Sequence, residues 1–98
     1  MKNVWISSSW QTQEFLDQAV LEDVLHSLIV WNDDVNTFDW VAKSLVEICG
    51  HSPEQAEQCA IIIHQKGKYA VKKGSYEQLR PQCNALLDRG IQASIGEQ

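Results

Sequence analysis

Asn32, Asp33, Asp34 and His64 are the residues whose side-chain chemistry stands out. The triplet interrupts an apolar run, Leu28-Ile29-Val30-Trp31, in the stretch LIVWNDDVNTFDW. Short acceptor side chains favour turns, so the triplet is expected to end a strand. Beyond turning the chain, an amide carbonyl, two carboxylates and a neutral imidazole nitrogen are hydrogen-bond acceptors, and such a group suits a positively charged ligand. The charge balance points the same way. Eight Lys+Arg against 13 Asp+Glu leave a net charge of −5, which favours cationic partners and argues against a nucleic-acid backbone. Taken singly, each residue has an ordinary use: Asn and Asp in turns and caps, His64 as a complement to a helix dipole. Their joint spacing is what points to a binding site.

Other chemistries fit less well. Cys49, His51, Cys59 and His64 carry zinc-type donors, but C-x-H followed by C-x4-H is not a usual ligand pattern. On a helix, Cys59 and His64 would point about 140° apart. No Cys sits at helical contact spacing from a His, and there is no strand-to-turn nucleophile elbow. No catalytic residue, metal or cofactor is therefore expected. The three cysteines, Cys49, Cys59 and Cys83, fall on apolar helical stripes and read as reduced core residues.

The elements that position these groups are well punctuated. Asn36 or Thr37 can cap a first helix, whose apolar positions Phe38, Val41, Ala42, Leu45, Val46 and Cys49 precede a Gly50 stop. Ser52-Pro53-Glu54-Gln55 combines an N-cap, a Pro at the first helical position and a Gln three residues past the cap, so a second helix begins there and ends at Gly67. His64 falls in its last turn. Lys68-Tyr69-Ala70-Val71-Lys72 alternates as a half-exposed strand. Leu79, Cys83, Leu86 and Leu87 mark a third helix closed by Gly90, although Pro81 calls for a later start or a kink. Ile91, Ala93 and Ile95 alternate as a third strand. The order is βααβαβ, an α+β domain with a three-stranded antiparallel sheet packed against three helices.

A chain of 98 residues supports one core. Residues 25–98 are expected to form it. Residues 1–24, with Trp5 and Trp10 among Ser and Gln and with acidic Glu14, Asp17, Glu22 and Asp23, are expected to form a flexible arm. The longest apolar runs, such as Ala60-Ile61-Ile62-Ile63, fall far short of the roughly 20 residues that span a bilayer. With no secretory pattern at the start, a cytoplasmic location and no membrane partner are expected.

The pairing of LIVWNDDVNTFDWV with EQAEQCAIIIHQKGKYAV about thirty residues later resembles the ClpS family, adaptors of ATP-dependent Clp proteases. The likeness spans roughly residues 26–95. It implies a protein that captures N-degrons, chains whose first residue is Leu, Phe, Tyr or Trp, and delivers them to a ClpA/ClpC-type unfoldase and the ClpP protease. Carried over by position, Asn32 and His64 would bind the substrate's α-amino group, with Asp33 and Asp34 in support. Phe38, Val41, Ala60, Ile63 and Ile91 would line the pocket for the first side chain, and Glu77 would face the unfoldase's N-terminal domain. The physical chemistry is consistent: a terminal ammonium offers three donors and a charge, whereas an internal peptide N–H brings neither. A large apolar side chain gains about 1.5 to 3 kcal/mol on burial, so guests are sorted by size.

The chain departs from the family's pattern in places. Val35-Asn36-Thr37-Phe38 replaces an aromatic-Thr-Pro-Met loop, which exchanges a flexible Met for Phe38 at the mouth. Ala60 stands where a Met is common, leaving space at the floor. Gln82 stands where a Lys is often found on the unfoldase-facing helix. A structural module resembling the C-terminal domain of the ribosomal stalk protein is the alternative, for which the acidic loop and His64 have no use.

Overall fold

Two short sequence signals, Ser52-x-x-Gln55 and Ser75-x-x-Gln78, start two of the three helices in the same way. In each, the Ser hydroxyl accepts from the Gln backbone N–H at 3.1 Å while the Gln side chain accepts from the Ser backbone N–H. Two of the four N–H groups that a helix leaves unpaired at its start are thus satisfied. The computed structural model describes residues 25–97, so the arm expected over residues 1–24 lies outside the described residues. In chain order these are β1 (Leu25–Trp31), α1 (Phe38–Cys49), α2 (Pro53–Lys66), β2 (Lys68–Ser75), α3 (Tyr76–Asp88) and β3 (Ala93–Glu97). The architecture is the α+β arrangement that the sequence implies. Of the two caps open for α1, Thr37 is used: its hydroxyl accepts from the Trp40 N–H at 3.1 Å.

The sheet runs β2-β1-β3, with both pairings antiparallel. Leu28 and Val30 of the central strand are fully buried and meet Leu45, Ala56, Ile63, Leu79 and Leu86 of the helices. Alternation sends Ser27, Ile29 and Trp31 to the opposite face. Between Leu28 and Ile29 the register with β2 slips by one residue, leaving Val71 as the extra residue of a bulge. The Val71 carbonyl accepts from His51 Nε2 at 2.8 Å, so the orphaned group of the bulge is capped by the loop between α1 and α2. All three cysteines are free and buried. Burial pushes the Cys49 thiol up to about 11, which keeps it protonated and inert at neutral pH.

Two boundaries differ from the expectation. Helix α3 starts at Tyr76 and continues through Pro81. Pro81 has no N–H to give to the Glu77 carbonyl one turn back, but the capping box at Ser75 and the buried stripe of Leu79, Cys83 and Leu86 hold the first turns in place. Ile91, expected to open the third strand, instead closes α3. Gly90 takes a left-handed conformation with φ 80°. Its N–H donates to Leu87 and the Ile91 N–H to Leu86, at 2.9 and 3.0 Å. This is a Schellman closure in which the residue after the Gly turns its side chain into the core.

Candidate functional site

The loop from Asn32 to Thr37 is folded mainly by one carboxylate. Asp33 Oδ1 accepts from the backbone N–H groups of Val35 and Asn36 at 2.9 and 2.8 Å, and Oδ2 accepts from Asn36 Nδ2 at 2.8 Å. The Asn36 backbone bond leads the effects that hold the Asp33 carboxyl below its ordinary value of 3.8, because acceptance by the ionised form stabilises it. Both lone pairs of Oδ1 are taken, so Asp33 keeps one on Oδ2 for any ligand. The supporting role expected for Asp33 is mostly internal: it shapes the loop and lends its charge. Asp34, which neighbours it on the rim, is exposed.

Three anchors fix the loop to the rest of the fold. The Trp31 N–H donates to the Gln92 carbonyl at 3.0 Å, and the Asn32 N–H donates to the Gly67 carbonyl at 2.9 Å. Asn36 Nδ2 also reaches the Gly90 carbonyl at 2.9 Å. Gly67, at φ 91°, ends α2 three residues after His64. A non-glycine residue is strained at that φ. The bond from Asn32 therefore ties the start of the acidic loop to the end of the helix that carries His64.

Between the loop, α1 and α2 lies a cleft of about 410 Å³, within the usual range of small-ligand sites. Its lip carries Asn32, Asp33, Asp34 and His64, and Asn36 and Thr37 also reach it. Its wall and floor are Phe38, Val41, Ala60 and Ile63. Ala60, one helical turn before His64, and Ile63, next to it, are only 4% and 3% exposed. Phe38, at the first position of α1, is 41% exposed, as a residue at a mouth should be. Chemically the cleft presents acceptors and negative charge at its opening and hydrocarbon beneath. It is suited to a cation attached to an apolar body.

Comparison with known proteins places this fold in a family. Residues 22–94 match the family model described as "ATP-dependent Clp protease adaptor protein ClpS". The chain belongs to the ClpS family. It is 30% identical over 98 aligned residues to the ATP-dependent Clp protease adapter protein ClpS of Corynebacterium aurimucosum, covering 94% of this chain and 87% of that protein. It is 25% identical over 96 residues to that of Nocardia farcinica, covering 95% and 91%. Among solved structures it is similar to Agrobacterium tumefaciens ClpS2 bound to L-phenylalaninamide. That match has a TM-score of 0.67 at 14% identity and covers 76% of this chain and 98% of the other, a likeness of fold. As a member of this family the chain is an adaptor of a Clp protease system.

Of the residues expected at a ClpS-type site, the cleft gathers Asn32, Asp33, Asp34, His64, Phe38, Val41, Ala60 and Ile63. Ile91 is not among its lining residues. It is 1% exposed within the core, where the closure of α3 puts it. Glu77 is exposed in the first turn of α3, on a separate depression with Tyr76, Arg80, Pro81 and Asn84. Asn36 matters more to the loop than the sequence suggests. By sequence it is only a possible cap, yet its side chain bridges the Asp33 carboxylate to the Gly90 carbonyl just past the end of α3. The signal was present in the Asp-x-x-Asn spacing, which lets two short polar side chains meet across one turn. Among the described residues, no helix is long and apolar enough to cross a membrane.

Proposed function

We propose that this ClpS family member recognises proteins by a free N-terminal residue that is large and apolar, Leu, Phe, Tyr or Trp. It would hand them to a ClpA/ClpC-type unfoldase and the ClpP protease, acting in the cytoplasm and without catalysis of its own. The observation that carries this reading is the cleft itself, with acceptors from Asn32, Asp34 and His64 above the apolar surfaces of Val41, Ala60 and Ile63. An α-ammonium has three donors to place and a charge that the lip complements. The side chain on the same Cα then has one direction to go, down onto Ala60 and Ile63. Acetylation or a preceding residue removes the charge and fills the lip with carbonyl, so internal segments are refused. The L-phenylalaninamide in the Agrobacterium structure has this chemistry, a free amine beside an aromatic ring. The folded unit would begin near residue 25, with residues 1–24 as an arm, and Glu77 would sit on the unfoldase-facing surface.

The deciding experiment is a fluorescence titration with peptides that begin with Leu, Phe, Tyr, Trp or Ala, each free and N-acetylated. Free Leu, Phe, Tyr and Trp peptides should bind, and their acetylated forms and the Ala peptide should not. Equal binding of free and acetylated Phe peptides would reject the assignment.

A further inference from the structure

The apolar residues that line the cleft between the acidic loop, α1 and α2 are not alike in what surrounds them. Ile63 belongs to the packed core, and Val41 rests against it. Ala60 is about as deeply buried, at 4% exposed, yet it is not a member of that core cluster. Helix geometry explains the difference. Around the α2 axis Ala60 lies about 60° from Ile63 and about 40° from His64, between the buried stripe of Ala56, Cys59 and Ile63 and the exposed imidazole at the lip. Its methyl is therefore shielded by the walls of the cleft rather than by core side chains. It is also the smallest of the apolar side chains in the lining, beside Phe38, Val41 and Ile63. Atoms added at this position would enter the cleft and not the core.

The opposite wall comes from α1. Phe38 and Val41, three residues apart, share one face of that helix, and Phe38 stands at the mouth with its ring partly exposed. A side chain that enters below the lip gains in proportion to the apolar area it buries. Leucine stops at Cδ, whereas a phenyl ring continues to Cζ and an indole further still. The depth that the Ala60 methyl leaves open is thus of use only to the longer guests. A ring in this slot also meets the Phe38 ring, and aromatic pairs gain beyond their buried area.

We propose that Ala60 is the specificity-determining residue of the cleft, and that chains beginning with Trp or Phe are bound in preference to those beginning with Leu. This order rests on the reading of the cleft as a site for a free N-terminal residue and adds a ranking within that group. Asn32, Asp34 and His64 address the ammonium, which every such chain presents alike. Discrimination between the chains falls to the apolar floor.

The test is a set of fluorescence titrations with peptides that differ only in a first Trp, Phe or Leu, each free and N-acetylated, against the parent chain and Ala60→Leu. In the parent, the free Trp and Phe peptides should bind at least about fivefold tighter than the Leu peptide. In Ala60→Leu the added branch occupies the floor, so the Trp peptide should lose about tenfold or more and the Leu peptide less, which reverses the order. Thermal melts identify a folded variant, and Ala60→Met, with an unbranched side chain, carries the same comparison if Ala60→Leu does not fold. Leu bound as tightly as Trp by the parent, or an equal loss for all three peptides in a folded variant, would overturn the proposal while free peptides still bind and acetylated ones do not. Acetylated peptides that bind as well as free ones would instead remove the underlying reading, and the ranking with it.

Discussion

At the scale of single residues, the site divides between groups that would touch a ligand and groups that hold them. Asn32 and His64 are exposed, and among the described residues no hydrogen bond engages either side chain, so removing either costs the fold little. Asn32→Ala and His64→Ala should each weaken binding of a Phe-initiated peptide by about 1.5 to 3 kcal/mol, the worth of a bond to a charged group. Thermal midpoints should match the parent within a few degrees, since exposed changes usually stay within about 0.5 kcal/mol. Titrations paired with melts check both halves. Asp33 is of the second kind. Its carboxyl is held below 3.8 in the folded chain, first of all by the Asn36 backbone N–H. A carboxyl depressed on folding stabilises the fold above its unfolded value, and the contribution is lost as pH falls through the lower folded value. The stability advantage of the parent over Asp33→Asn should therefore be constant from neutral pH down to about 4 and shrink below 3.8. Urea unfolding of both chains across that range, showing a constant difference to pH 2, would contradict this account of the loop.

At the scale of elements, α2 is the part that the site depends on, because it carries Ala60, Ile63 and His64 and ends at Gly67, where the acidic loop is anchored. Its start at Ser52 is a capping box, and Ser52→Ala should cost about 1 kcal/mol of stability. Pro81 works in the other direction within α3. Pro81→Ala returns an N–H to the Glu77 carbonyl and should stabilise the domain by about 1 to 2 kcal/mol, less than the full helix penalty because proline also restrains the unfolded chain. A drop in the melting temperature of Pro81→Ala would show that its ring packs for a purpose. These elements also show what the sequence made legible. Caps and stops are local, so the helices and their glycine ends could be read from a few residues each. Strand ends are not local. β1 reaches back to Leu25 and β2 forward to Ser75 because those residues pair with each other, and no short window contains both. The same limit explains Ile91, whose alternation with Ala93 and Ile95 suggests a strand until the Gly90 turn aims it at the core. The acceptors of the site were legible as residue types. The internal bonds of Asp33 were not, because they depend on how the loop is folded.

For the whole molecule, the arrangement puts three surfaces on different sides of one small core. The cleft sits where the ends of α2 and β1 meet, the Glu77 depression lies on α3, and the open sheet face lies opposite the helices. An adaptor needs such separation, since it must hold its cargo and its protease partner at once. The cleft and the Glu77 depression share no lining residue. Glu77 is exposed and in the first turn of its helix, where a reversed charge meets an unfavourable helix dipole worth only about 0.3 to 1 kcal/mol. Glu77→Lys should therefore fold and should bind Phe-initiated peptides with the affinity of the parent. If Glu77 faces a complementary charge on the unfoldase, reversal replaces attraction with repulsion across the interface. Degradation of a Phe-initiated reporter by the reconstituted unfoldase and protease should then fall by about tenfold or more. Peptide titration and reporter decay, measured on the same preparation, separate the possibilities. Unchanged degradation would remove Glu77 from the interface, and a parallel loss of peptide affinity would show that the two surfaces are coupled through the core.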